Sequence, residues 1–194
     1  MPHIRTMRIA NTERSYGVPA VGLHWLIALL LIALVVLGAY MVRLPDAGFD
    51  SRKISAILIH KELGLVALAF AALRMIWRQL NPLPTPIGTV PEWQQIAGIF
   101  VHLCFYALML AQPVTGWLMS SASGIPVDFL GLFTLPDLLN HNEDRFDQLR
   151  RLHDWLGIAL GALVMLHALA ALRHHVALRD ATLRRMLGLS QSGG

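Results

Sequence analysis

The sequence predicts an all-α integral membrane protein, a four-helix bundle of up-down topology with both termini cytoplasmic. Three observations carry that prediction. Hydrophobic residues make up 55% of the 194 and charged residues only 14%, where a soluble domain carries about 25% charged residues. Four apolar runs are each long enough, as helices, to cross a hydrocarbon core of roughly 30 Å. The segments between them carry turn chemistry. The length suits a single domain over 1–194.

The first run, about 21–42, is uncharged until Arg43. It is longer than a signal-peptide core, and AYMVR offers no small-x-small cleavage site, so it reads as a retained span. The second, about 54–77, carries Lys61 and Glu62 near its start and Arg74 near its end. The third, about 95–121, is uncharged, and Pro113 within it predicts a kink and a gap beside Gly116. The fourth, about 152–172, is uncharged after Asp154. NPLPTPIGTVPEW, between spans two and three, holds too many prolines for a helix. The long connection SGIPVDFLGLFTLPDLLNHNEDRFDQLR is expected to hold a short surface helix. The tail, 173–194, reads as a basic interfacial helix that frays at its end.

Charge sets the expected orientation. The N-terminus, second loop and C-terminus share one side. With adjoining span ends, that side holds nine Lys/Arg (Arg5, Arg8, Arg14, Arg74, Arg78, Arg173, Arg179, Arg184, Arg185) against seven on the other. The basic-rich side is expected to be cytoplasmic. The pI of about 9.8 therefore reflects membrane orientation. The basic residues cluster at the ends of apolar runs, not along one polar face, so no nucleic-acid partner is expected. Cys104 is the only cysteine, which excludes an internal disulfide, a cysteine-based metal cluster and covalent c-type haem attachment.

Polar imidazoles in hydrocarbon need a partner. His24 begins span one, His60 begins span two, and His153 and His167 sit fourteen residues apart in span four. Fourteen residues advance a helix by roughly 21 Å and fall short of whole turns by about 40°. Span four thus offers two imidazoles on nearly one face, near opposite membrane surfaces. By depth, His24 matches His167 and His60 matches His153. Two imidazoles are too few for structural zinc but suffice for the axial positions of a haem iron clamped between helices. The expected cofactors are two non-covalent haem b groups, with those four histidines as metal ligands. Gly64 and Gly157 each lie four residues beyond a ligand, where a side chain would strike the porphyrin. Gly161 lies midway between His153 and His167. His102, on span three, has no assigned role beyond a hydrogen bond to a propionate, a quinone or a neighbouring helix.

The chain resembles the bacterial cytochrome b561 family, small dihaem quinone-linked membrane cytochromes, over about 16–187. The motifs that carry the likeness are LHWLIALL, LIHKELG, RMIWRQLNPLPTP, HLCFYALMLAQPVTGWLM, LHDWLGIALGALVMLH and ALRHHVALRDATLRRM. The family's ligand positions match His24, His60, His153 and His167. The resemblance implies a bacterial inner membrane and, from relatives that oxidise superoxide, electron flow from superoxide outside to ubiquinone inside. The bundle is also similar to the cytochrome b subunits that link hydrogenases and formate dehydrogenases to quinone. A protein partner is therefore possible but not required.

A superoxide donor calls for cations near the outer haem. Lys61, Arg150 and Arg151 adjoin His60 and His153, with Arg52 and Lys53 ahead of span two. Quinone reduction calls for a proton-carrying group near the inner haem. His174, seven residues beyond His167, is the candidate. Arg74 and Arg78 are expected to anchor inner haem propionates.

Overall fold

The computed structural model describes residues 9–13, 15–45, 50–85 and 91–189. Four long helices dominate it: α1 (Val18–Val42), α2 (Ser51–Leu80), α3 (Glu92–Ala122) and α4 (Glu143–Val176). All four are long and apolar enough to span a membrane. A two-stranded hairpin, β1 (Asp128–Phe129) and β2 (Phe133–Thr134), lies between α3 and α4, and a short α5 (Thr182–Met186) follows α4.

Pairing between neighbours is antiparallel. Arg74, late in α2, donates to the Ala20 carbonyl early in α1 (3.2 Å), while His60, early in α2, meets Gly38 late in α1. Arg78 with Tyr106 and Lys61 with Ser120 relate α2 and α3 in the same sense. His102 with His167 and Gln112 with His153 do so for α3 and α4. The topology is therefore up-down. Ile27, Leu31, Ala71, Met109 and Leu160 form the buried centre, one or more from each helix. Around them the outward faces stay apolar, as at Leu29, Ile99 and Leu166. That is the pattern of a bundle whose solvent is lipid.

Local chemistry sets the helix ends. Asp50 caps α2 by accepting from Arg52 N–H (2.9 Å), and Asn81 followed by Pro82 stops it. The buried Asn11 ties three segments together. It accepts from Gly17 N–H (2.8 Å) at the start of α1 and donates to the Pro82 carbonyl (3.0 Å) after α2. A Cβ on Gly17 would run into the Ile9 backbone, so that approach needs glycine. Asn11→Ala is expected to cost about 1–3 kcal/mol by orphaning these groups, read as a lower thermal midpoint in detergent.

The helix expected within the long connection is not separate. It is the polar opening of α4, which starts at Glu143, nine residues before the apolar run. Asn142 accepts from Arg145 N–H (2.8 Å), and Glu143 and Asp144 occupy the first turn, where carboxylates suit the helix dipole. The rest of that connection forms the hairpin. α3 is helical on both sides of Pro113. The basic tail is only partly helical, as α5. The fraying end (190–194) and Arg5, Arg8 and Arg14, which weighed in the orientation, lie outside the described residues.

Candidate functional site

The histidines gather at the two ends of the bundle. At one end, His60 of α2 faces His153 of α4, with ring centroids 6.1 Å apart. At the other, His24 of α1 faces His167 of α4 at 6.2 Å. A metal–nitrogen bond of about 2 Å on each side, plus about 1 Å from nitrogen to ring centre, sets two trans imidazole centroids roughly 6 Å apart. Each pair has the separation at which two imidazoles could hold one iron between them.

Hydrogen bonding fixes the His153 tautomer. Thr115 Oγ1 lies 2.8 Å from the Gln112 carbonyl and 3.1 Å from His153 Nδ1. A carbonyl only accepts, so the single hydroxyl proton goes there and the hydroxyl accepts from Nδ1–H. Nε2 is left with its lone pair, the form that binds a metal. The Gln112 amide nitrogen sits 3.3 Å from that Nε2 and 3.1 Å from the His153 carbonyl, while Gln112 Oε1 is buried without a partner among the described residues. His60 Nδ1 is likewise buried and unpartnered. Among the described residues, these orphaned atoms are what a site that receives a further group presents.

The glycines divide by what they face. An added Cβ would lie 3.5 Å from His60 Cε1 at Gly38 and 3.2 Å from His153 Cε1 at Gly116. At Gly64 it would meet no protein atom within 4 Å, whereas at Gly157 it would meet Gln112 Nε2 at 3.1 Å. The space beside Gly157 thus goes to the glutamine that touches His153, which differs from the clearance expected for a porphyrin. Gly161 faces Val35 of α1 (3.4 Å), a helix–helix approach. Gln112, Thr115 and Gly38 are not marked by sequence reasoning, and Gly116 only as the neighbour of a gap at the Pro113 kink.

The end with His24 and His167 is richer in polar groups. His102 of α3 stands 5.9 Å from His167, so three imidazoles meet there. Arg78 donates to Tyr106 Oη (3.1 Å) and lies over its ring. The buried Trp77 Nε1–H has no partner among the described residues. The tail closes this end. Trp25, next to His24, donates to the Met186 carbonyl (2.6 Å), and Arg185 donates to the Thr85 carbonyl (2.7 Å). His174 Nδ1–H donates to the Asp180 carboxylate. Burial pushes the Asp180 carboxyl up, but hydrogen bonds from His174 and Thr182 outweigh it and hold the group below its ordinary value. A depressed carboxyl pKa stabilises the closed tail above the ordinary carboxylate range, and the contribution is lost as pH falls through the folded value. Asp180→Asn is therefore expected to speed tryptic cleavage at Arg184 at neutral pH, where the parent carboxylate is ionised.

The cations at the other end are held more than expected. Lys61 donates to Ser120 Oγ (2.7 Å) and to the Ile125 carbonyl (3.4 Å). Arg150 pairs with Asp147 one turn back (3.6 Å) and lies over Phe146. Lys53 donates to the Leu44 carbonyl (3.0 Å). Arg151 is exposed and has no partner among the described residues.

Residues 15–189 match the family model of prokaryotic cytochrome b561. The chain is 33% identical to cytochrome b561 homolog 2 of Escherichia coli (strain K12) over 186 residues, 96% of this chain and 98% of that protein. It is 30% identical to a probable superoxide oxidase, CybB, of Yersinia pestis over 176 residues, 90% and 97% of the two chains. Cytochrome b561 homolog 1 of E. coli is 29% identical over 169 residues, 85% and 92%. With four spanning helices and a match along nearly its whole length, the chain belongs to the prokaryotic cytochrome b561 family, membrane-bound b-type cytochromes of electron transfer.

Proposed function

We propose that this chain acts as one dihaem domain, 1–194, in the bacterial inner membrane, carrying electrons from superoxide on the outer side to ubiquinone on the cytoplasmic side. The observation that carries the reading is the presence of two imidazole pairs at 6.1 and 6.2 Å, on residues fourteen apart in one helix. That separation is roughly 21 Å along α4, enough to put one pair near each membrane surface. Haem b held by each pair would supply one-electron exchange. The end bearing His24, His167 and both ends of the described chain is the cytoplasmic one, as the basic residues of the sequence indicate.

The roles follow from placement. His60 and His153 hold the outer group, and Thr115 orients His153. Arg151, exposed and unpaired beside that end, draws in the superoxide anion, with Lys61 and Arg150 adding positive field while tethered. His24 and His167 hold the inner group. Arg74 and Arg78 bind propionates, and Trp77 Nε1–H is a further donor there. His174 passes protons toward the quinone, its ring oriented by Asp180. Two superoxide anions become two dioxygen molecules, and one ubiquinone takes up two electrons and two protons to become the quinol.

Stopped-flow absorbance of the purified holoprotein with superoxide, with and without a soluble quinone, tests the function. Rapid reduction without any partner, followed by reoxidation with quinone, is expected. No reduction by superoxide, with a dehydrogenase copurifying, would instead make the chain an electron-carrying anchor for that enzyme. Two variants test the roles. Thr115→Val keeps the shape but removes the acceptor for Nδ1–H, and is expected to weaken outer haem retention by about 10–100-fold. His102→Ala is expected to leave both haems bound with bis-imidazole spectra, because His24 rather than His102 completes the inner pair.

A further inference from the structure

The connection between α3 and α4 carries more apolar surface than a water-facing loop should. Ile125 is 59% exposed, Leu130 61%, Leu132 75% and Phe133 53%, four large apolar side chains within nine residues. Soluble surfaces avoid such patches. Leu130, at the turn, has a φ of +52°, a left-handed conformation that glycine or asparagine adopts at less cost. A leucine there keeps an apolar group at the tip of the hairpin.

Two further observations say what meets that surface. First, β1 packs on α2. Phe129, Phe133 and Leu135 form one wall of an open apolar groove of about 590 Å³, whose other wall is the Leu65–Ala72 face of α2. That face falls within the stretch between Glu62 and Arg74 that has no charged residue. It lies roughly 6 to 17 Å deeper along the helix than Lys61. The groove is thus continuous with the lipid-facing surface of a spanning helix. Second, the hairpin pairs much of its own backbone. Leu132 N–H donates to the Phe129 carbonyl (2.9 Å), and Leu135 N–H donates to the Val127 carbonyl (2.8 Å). Asp128 accepts from Gly131 N–H (2.9 Å) and from Thr134 Oγ1 (3.1 Å). An apolar medium admits irregular backbone only when its polar groups are paired within the protein.

We propose that this hairpin is a membrane-inserted anchor, and that the groove between it and α2 holds an acyl chain of a phospholipid in the leaflet on the His60–His153 side. The connection then does not serve as a platform for a soluble partner, whatever the electron donor. Leu130, Leu132 and Phe133 insert at the level of the headgroups and upper acyl chains. Asp128 closes the turn behind them.

The test uses the haem-loaded protein in phosphatidylcholine–phosphatidylglycerol nanodiscs. An environment-sensitive fluorophore is attached to Leu132→Cys in a Cys104→Ser background. Leu29→Cys, on the outward face of α1, is the lipid reference, and Asp144→Cys, in the polar first turn of α4, is the aqueous reference. Nitroxide-labelled lipid is expected to quench the Leu132 reporter several-fold more than the Asp144 reporter, with iodide in water showing the reverse order. A label near the headgroup end of the chain should quench it more than one at the chain terminus. Quenching that matches the Asp144 reference overturns the proposal. So does protection from both lipid and iodide, which would mean that protein covers the hairpin. Leu130→Cys, a second position on the turn, must agree with Leu132→Cys.

Discussion

His153→Ala is expected to strip the haem shared with His60 and leave the one shared with His167, halving the haem carried per chain. His167→Ala should do the converse. The two rings lie fourteen residues apart on α4, and each has its own opposing imidazole, His60 at 6.1 Å and His24 at 6.2 Å. No histidine is shared between the two ends, so one site can empty while the other stays filled. Removing His153 also leaves Thr115 and Gln112 without their ring partner, a cost of about 1–3 kcal/mol. The centre built on Ile27, Leu31, Ala71, Met109 and Leu160 is untouched, so the helices should remain assembled. The measurement is haem content together with the redox titration of the absorption bands, which should fall from two steps to one. Equal loss of both haems from either variant, with helical circular dichroism retained, would rule out pairing by depth.

Gly116→Leu should empty the same outer site without touching a ligand. A Cβ at Gly116 would already sit 3.2 Å from His153 Cε1. Alanine therefore asks the ring to shift by a few tenths of an ångström, and leucine needs the volume the ring occupies. Thr115 and Gln112, which orient that ring, are on the same helix within one turn, so the displaced imidazole loses its hydrogen bonds as well. Gly64→Leu is the matching control, because a Cβ there meets no protein atom. If Gly64 lies against the porphyrin, its replacement lowers haem occupancy although the protein accommodates the side chain. Full occupancy in the Gly64 variant would place the porphyrin elsewhere. A Gly116→Leu chain that still binds two haems with unchanged spectra would separate Gly116 from ligand geometry.

Much of the architecture was legible because it depends on local properties. Apolar run length marks a spanning helix whatever its neighbours are, and the four runs became the four long helices. Depth along a span follows from residue count at 1.5 Å each, so His24 could be matched with His167, and His60 with His153, before any packing was known. The helices nonetheless overran the apolar runs. α4 begins nine residues earlier than its run because Asn142, Glu143 and Asp144 satisfy its first amides, and hydropathy does not register that chemistry. By hydropathy alone the same polar turns look like a separate surface helix.

What surrounds each imidazole was not legible, since rotation about a helix axis and the identity of the facing helix are set by packing. Gly157 has the same spacing from His153 as Gly64 has from His60, yet Gln112 of α3 fills one position and no protein atom meets the other. Lys61 and Arg150 adjoin candidate ligands in sequence, but Ser120 and Asp147 hold their charged ends. Composition, span length and the depth of four histidines were thus determined by the sequence alone, because each follows from residue identity or from distance along a helix. The tertiary structure alone decided the Thr115 bond that fixes the His153 tautomer, the third imidazole beside His167, and the apolar hairpin lying along α2. Each of these needs atoms from elements far apart in the chain to meet within a few ångströms.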